Sequence, residues 1–220
     1  MPLTQDNLGT EANGDRSEEY CCYCYKNGAF LNDLNMSQMI EFCAQFTDQI
    51  NQQAGWNLTP QQAKAQMRKY FPTLKRWKQK DTRNIVEKAA HLLTQCTEVT
   101  LASVNADGYP RPVPMSKIAA TGCNDVWVAT VADSEKVSDF RTNNKAGLSY
   151  SFYGDCVSLR GTVEIISDDE TRRSMWQECL NDYFPGGPTD PNYVLLHFVG
   201  TEATIWTDDE FSHEPVGHKQ

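Results

Sequence analysis

The stretch Val99-Thr100-Leu101-Ala102-Ser103-Val104-Asn105-Ala106-Asp107-Gly108-Tyr109-Pro110-Arg111-Pro112-Val113-Pro114-Met115 decides how the chain is read. Upstream of it, apolar residues recur at helical spacing. From Val99 they alternate, which is the period of a half-buried strand. Asn105 to Gly108 is a turn, and Asp-Gly is a strong hairpin signal. The returning strand, Tyr109 to Ile118, carries prolines at alternate positions 110, 112 and 114. Alternate residues turn their backbone groups to the same side, so the missing N–H donors fall on one edge. That edge belongs at a rim or beside a ligand.

Downstream, Asp125 to Val131 is a third strand, and Ser134 to Asn143 a short helix with Ser134 as cap and Val137 and Phe140 inward. Ala146 to Tyr153 and Val157 to Ile166 pair around Gly154-Asp155. Ser167-Asp168-Asp169-Glu170 is a capping box that opens a helix through Leu180. Tyr183-Phe184-Pro185-Gly186-Gly187-Pro188 is an aromatic loop. Tyr193 to Val199 and Ala203 to Thr207 are the last two strands, and residues 211–220 a polar tail. Short, evenly spaced strands joined by tight turns predict a small antiparallel barrel in an α+β chain.

Upstream, three helices are expected. One starts at Ser37 and buries Met39, Ile40, Cys43, Phe46 and Ile50. A second begins at Thr59-Pro60, with Ala63, Met67 and Tyr70 on one face. The third spans Thr82 to Leu93. Residues 1–35 lack periodicity and read as loop and turn around Cys21-Cys22-Tyr23-Cys24. The expected organisation is a ribbon remnant (1–35), a helical segment (36–80), the barrel (81–210) and the tail.

At 220 residues the chain buries a core without disulfides. Its net charge of −9 disfavours nucleic acid as partner. No apolar run approaches membrane-helix length, and the N-terminus lacks the basic and apolar regions of a signal peptide. The cytoplasm is therefore expected. Cys43, Cys96, Cys123, Cys156 and Cys179 stand alone in patterned segments, as small buried hydrophobes in a reducing compartment.

No catalytic triad or Gly-rich phosphate loop is present. His91 is read as a helix boundary residue and His197 as a satisfied core histidine, while His213 and His218 fall in the tail. The Asp168-Asp169-Glu170 run is capping charge. A more specific combination is Ser134 at a helix start with Lys136 beside it: the free amides of a first turn, a hydroxyl and a cation make an anion site. Arg111 on a neighbouring strand would complete it.

The run from Thr100 to Met115 resembles the first hairpin of pyridoxamine 5′-phosphate oxidase-like flavoproteins. Val128-Ala129-Thr130 with Ser134-Glu135-Lys136-Val137 and Phe140-Arg141-Thr142-Asn143 resembles that family's strand and phosphate-binding helix. Leu159-Arg160-Gly161-Thr162-Val163-Glu164 is similar to its central strand, and Tyr183 to Pro188 with Tyr193-Val194-Leu195-Leu196 to the close of its general-stress-protein branch. The resemblance covers about residues 97–207. It implies an FMN-binding split antiparallel β-barrel, a homodimer with the cofactor in a cleft between protomers, and a small redox substrate. It assigns Arg111, Ser134 and Lys136 to the FMN phosphate, and Pro112, Val113, Met115, Ser116 and Thr130 to the rest of the cofactor, with no catalytic side chain named. Relatives that oxidise pyridoxamine phosphate carry a basic residue after the serine and an Arg-x-His near the C-terminus. Here Glu135 and the segment Ala203 to Asp209 stand in those places, so that substrate is not expected. The rival reading is a non-enzymatic flavin- or partner-binding module. A barrel holding another flavin or a haem-like group is a third.

Met1-Pro2-Leu3 with Tyr20-Cys21-Cys22-Tyr23-Cys24-Tyr25-Lys26-Asn27-Gly28, and the helix end Tyr70 to Trp77, resembles a zinc-ribbon domain fused ahead of such barrels. In that family a Cys-x-x-Cys-Gly precedes the Met-Pro-Leu, and this sequence starts at that Met. Cys21 and Cys24 make half of a four-ligand site, so zinc is expected only if further ligands exist. Either the start is assigned too late or the zinc has been lost.

Overall fold

The computed structural model describes Leu3, residues 5–77 and residues 81–217. Met1 and Pro2 of the ribbon motif and His218 of the tail lie outside the described residues. The chain divides into two units, residues 1–81 and 82–220.

The first unit begins with strands where loop was expected. β1 (Leu8–Thr10) pairs with β2 (Arg16–Cys21), and β3 (Tyr25–Lys26) with β4 (Ala29–Phe30). The second hairpin turns through Asn27 (φ 53°) and Gly28 (φ 80°), both left-handed as a two-residue loop requires. These strands escape a periodicity search because they are short and cohere through rings: Tyr20, Tyr25 and Phe30 pack with centroids 4.9–5.3 Å apart. The apolar run from Met39 to Ile50 is two helices rather than one, α1 (Met36–Ala44) and α2 (Thr47–Ala54). The cap of α1 is Asn35, not Ser37, because Asn35 and Gln38 exchange side chain-to-backbone hydrogen bonds. α3 (Pro60–Tyr70) starts as the sequence predicts, with Thr59 and Gln62 forming the reciprocal cap.

The second unit opens with α4 (Ile85–Gln95), where Asn84 and Glu87 make the capping box and delay the start past Thr82. Then come β5 (Glu98–Val104), β6 (Pro110–Thr121), β7 (Asp125–Val131), α5 (Glu135–Thr142), β8 (Lys145–Phe152), β9 (Asp155–Ile166), α6 (Asp169–Ser174), β10 (Tyr193–Thr207) and β11 (Glu210–Pro215). Neighbours run β10-β7-β6-β5-β8-β9, and β9 pairs back onto β10. The result is a closed six-stranded antiparallel barrel, an α+β fold overall. Alternate residues fill it, among them Val99, Leu101, Met115, Val126, Val128, Leu148, Val157, Leu159, Leu196 and Phe198. Ala89, Leu92 and Leu93 of α4 and Val137 and Phe140 of α5 join the same core. No described helix is long and apolar enough to cross a membrane.

Two expected strands at 193–207 are one, with a bulge. The register with β9 slips between Gly200 and Glu202, so inward positions change from Val194, Leu196 and Phe198 to Ala203 and Ile205. A parity change looks like a break in the pattern. The bulge presses on β9: a Cβ at Gly161 would sit 2.1 Å from the Val199 carbonyl oxygen and 2.7 Å from Gly200 Cα. Only glycine fits there. The polar tail is likewise corrected from Glu210 to Pro215, which forms β11 on the outer half of β10. Its residues alternate without an apolar face. The helix expected through Leu180 ends at Ser174, and residues 178–182 make a 3₁₀ turn. Met175, Trp176, Leu180 and Phe184 instead pack on Tyr193 and Leu195, the outward face of β10. Asp168 does cap α6, accepting from the Thr171 N–H at 2.9 Å.

The isolated cysteines divide. Cys96 and Cys123 are buried and Cys43 is half-buried, whereas Cys156 and Cys179 are exposed. Cys156 occupies an outward position of β9 opposite Trp206. His197 is satisfied, stacked on Trp127 at 3.8 Å with Nε2 3.1 Å from Asp125 Oδ1.

Candidate functional site: a cleft beside the proline edge

The cleft follows from how β6 changes partner. Residues 110–116 pair with β5, and residues 117–121 with β7. Between Lys117 and Ala119 the register slips, and beyond the Lys117–Val128 pair the two strands separate. The barrel is split there. Lys117 donates its N–H to the Thr97 carbonyl at 2.9 Å, so residues 111, 113 and 115 share its parity and bond to β5. Pro110, Pro112, Pro114 and Ser116 face the other way, along an edge where the prolines offer carbonyls but no N–H. Pro112 and Ser116 are exposed, Val113 packs against the core, and Met115 is buried within it. Val113 and Met115 therefore present neither side chain nor backbone polar groups to the open edge.

Opposite stand the end of β7 and the start of α5. Ser134 is the N-cap of α5, yet its side chain makes no capping bond. Its Oγ lies 3.4 Å from Thr130 Oγ1 instead. Lys136 donates to the same Thr130 oxygen at 3.0 Å, and burial pulls its pKa below the ordinary lysine value. A hydroxyl, an ammonium and the unbonded amides of a helix first turn thus meet at one point, in the arrangement that favours an anion. Val137 and Phe140, buried in the barrel core, fix the helix that presents them.

Arg111 reaches the same helix. Its Nη1 pairs with the Glu135 carboxylate, and its Nε lies 3.9 Å from Asp139 Oδ2. Asp139 is anchored by the Ser103 hydroxyl at 2.7 Å, and Ser103 sits directly across the hairpin from Arg111. Sequence reasoning missed Ser103 and Asp139. The hairpin turn fixes the Ser103–Arg111 register, which was legible, whereas Asp139 meets Arg111 only through the packing of α5 on the hairpin. Of the expected residues, the structure gathers Thr130, Ser134 and Lys136 into direct contact and ties Arg111 to their helix.

The ribbon residues are arranged differently. Cys24 donates its N–H to the Cys21 carbonyl at 3.0 Å, which puts both thiols on one turn. Both cysteines are free, and a hydrogen bond between their side chains lowers the pKa of Cys21 and raises that of Cys24. No group of three or more His, Cys, Asp or Glu among the described residues is arranged to hold a metal ion. The donors present do not fit a tetrahedral zinc.

The model of the pyridoxamine 5′-phosphate oxidase-like family matches residues 84–214. The chain belongs to that family. A zinc ribbon domain model matches residues 1–78. Comparison with curated proteins finds no match. Among solved structures, a protein related to general stress protein 26 from Clostridium acetobutylicum is 22% identical with a TM-score of 0.55, over 60% of this chain and 94% of its own. General stress protein 26 of Bacillus anthracis is 22% identical with a TM-score of 0.50, over 60% and 100%. A heme binding protein from Mycobacterium smegmatis is 13% identical with a TM-score of 0.52, over 62% and 60%. These likenesses establish the split-barrel fold of this oxidase-like member.

Proposed function

We propose that the chain is an FMN-binding oxidoreductase that acts on a small substrate through its bound flavin. The observation that carries this is the uncapped Ser134 hydroxyl beside Lys136 and Thr130 at the mouth of the split. A phosphate there takes hydrogen bonds from Ser134 and the first-turn amides of α5 and charge from Lys136 and Arg111. The flavin supplies the electron chemistry when bound, so the protein needs no acid or base of its own. What its residues do is bind and orient. The proline edge lies alongside the cofactor because it has no N–H to give a further strand. Thr130, 7% exposed, holds the Lys136 ammonium toward the phosphate.

The working form in this reading is a homodimer. Across the outer face of the barrel runs a groove of about 520 Å³ lined by Pro114, Ser149, Cys156, Thr204, Trp206 and Phe211. Trp206 and Phe211 are half-exposed aromatics packed edge to face. A second copy covering them removes that apolar surface from water. Free cysteines throughout the described residues agree with the cytoplasm.

The test is the chromophore. Purified protein is expected to be yellow, or to become so on reconstitution, and to release FMN on denaturation. A colourless protein that no flavin reconstitutes contradicts the proposal and favours a non-enzymatic module. Sedimentation is expected to give a dimer; a monomer that keeps its flavin removes the second copy from the cofactor site.

A further inference from the structure

Two carboxylates hold Arg111, and they do so in different ways. Asp139 has a side chain only 11% exposed and is fixed by the Ser103 hydroxyl. Glu135 is 83% exposed and pairs with Arg111 Nη1. The Arg111 pair is its only ion pair or hydrogen bond among the described residues. The two acids lie at i and i+4 on α5, so both face the guanidinium from one side of the helix. Next to them sit Lys136 and Ser134. Two cations at the mouth of the cleft thus stand against two carboxylates.

We propose that Glu135 sets the affinity of this site for a phosphomonoester by competing for the Arg111 guanidinium, while Asp139 positions that guanidinium. The inference rests on the flavin-phosphate reading above. A guanidinium offers its donors as a flat fork, and an anion that uses Nη1 must displace the carboxylate already bonded there. Glu135 can leave, because an exposed ion pair is worth little and its side chain is otherwise unattached. Asp139 cannot, being buried and hydrogen-bonded, so Arg111 keeps its direction while Glu135 swings away. Once displaced, the Glu135 carboxylate still sits on the first turn of the helix that holds the phosphate and opposes its charge. The site therefore takes a dianionic, bidentate phosphate at reduced strength. A neutral ligand neither displaces Glu135 nor feels it.

The experiment titrates FMN and riboflavin separately into the full chain, as wild type, Glu135→Gln and Asp139→Asn. Glutamine keeps the length of the side chain and removes its charge. Glu135→Gln is expected to tighten FMN about two- to fivefold and to leave riboflavin unchanged. Asp139→Asn, with its fold confirmed by circular dichroism, is expected to weaken FMN and spare riboflavin. FMN affinity in Glu135→Gln that equals or falls below wild type overturns the competition, as does equal tightening of both flavins. Unchanged FMN affinity in folded Asp139→Asn overturns the positioning role. If wild type binds neither flavin, the functional reading fails and this inference with it. If wild type binds FMN and Glu135→Gln does not tighten it, only this inference fails.

Discussion

The cleft beside β6 and the thiol turn at Cys21–Cys24 are both places where short segments bring polar side chains together. They differ in how many directions those side chains come from. The cleft draws Arg111 from β6, Thr130 from β7, and Ser134 and Lys136 from α5. A closed barrel with a packed interior holds these elements in place. The thiol turn draws both its sulfurs from four consecutive residues. A site that must surround a ligand needs separate elements, and separate elements need a scaffold of long-range pairings. One turn supplies half a tetrahedron at most.

The largest effect expected from this contrast is in the scaffold. Leu196 is fully buried between β7 and β9, and Leu196→Ala is expected to cost about 2–5 kcal/mol of stability in urea unfolding. Phe30 in the ring cluster is 39% exposed, so Phe30→Ala is expected to cost clearly less. Equal losses would remove the distinction between a packed scaffold and a surface cluster. Next is the bulge. Gly161→Ala forces a Cβ against backbone that cannot step aside, and about 1–3 kcal/mol of overpacking is expected. A neutral Gly161→Ala would show that β9 and β10 approach less closely than described.

A smaller effect concerns pH. The pKa of Lys136 is depressed by burial. Its ammonium is charged below that value and neutral above it, so in the proposed reading the contribution of Lys136 to phosphate binding is lost as pH rises. The loss begins below the ordinary lysine value of ~10.4. The ratio of FMN to riboflavin affinity is expected to fall as the pH is raised from neutral towards the ordinary lysine range. Lys136→Arg should flatten the profile, since guanidinium does not titrate there. A wild-type ratio that holds steady across this range contradicts the assignment. Smallest of all is the effect of removing metal. Protein expressed from Met1 is expected to carry well under one zinc per chain, and a strong chelator to leave its circular dichroism unchanged. Stoichiometric, chelator-resistant zinc would mean that ligands beyond Cys21 and Cys24 complete the site.

The sequence made the barrel legible where side chains obey a simple period. The Asp107-Gly108 turn, the proline parity of β6, the span of β7 and the Ser134 start of α5 all follow from local rules, and the structure has each of them. It hid the barrel where tertiary structure breaks the period. The bulge at Gly200 flips the inward face of β10, the wrap of residues 175–184 ends α6 early, and β11 pairs without an apolar face. At the candidate site, the grouping of Ser134 and Lys136 could be recognised because a serine cap and a nearby lysine are a local signal. The bonds of Arg111 could not, because Glu135 and Asp139 meet it only once the first hairpin and α5 are packed against one another.

The central claim is that the cleft recognises the phosphate of FMN, and Lys136→Ala tests it most directly when FMN and riboflavin are titrated side by side. Charge-assisted bonds of this kind are worth roughly 1.5–3 kcal/mol each. Losing the ammonium is therefore expected to weaken FMN about ten- to a hundredfold, while riboflavin, which lacks the phosphate, binds wild type and variant alike. Unchanged FMN affinity in Lys136→Ala at moderate salt would contradict the account, and parallel loss of both flavins would contradict a role specific to the phosphate.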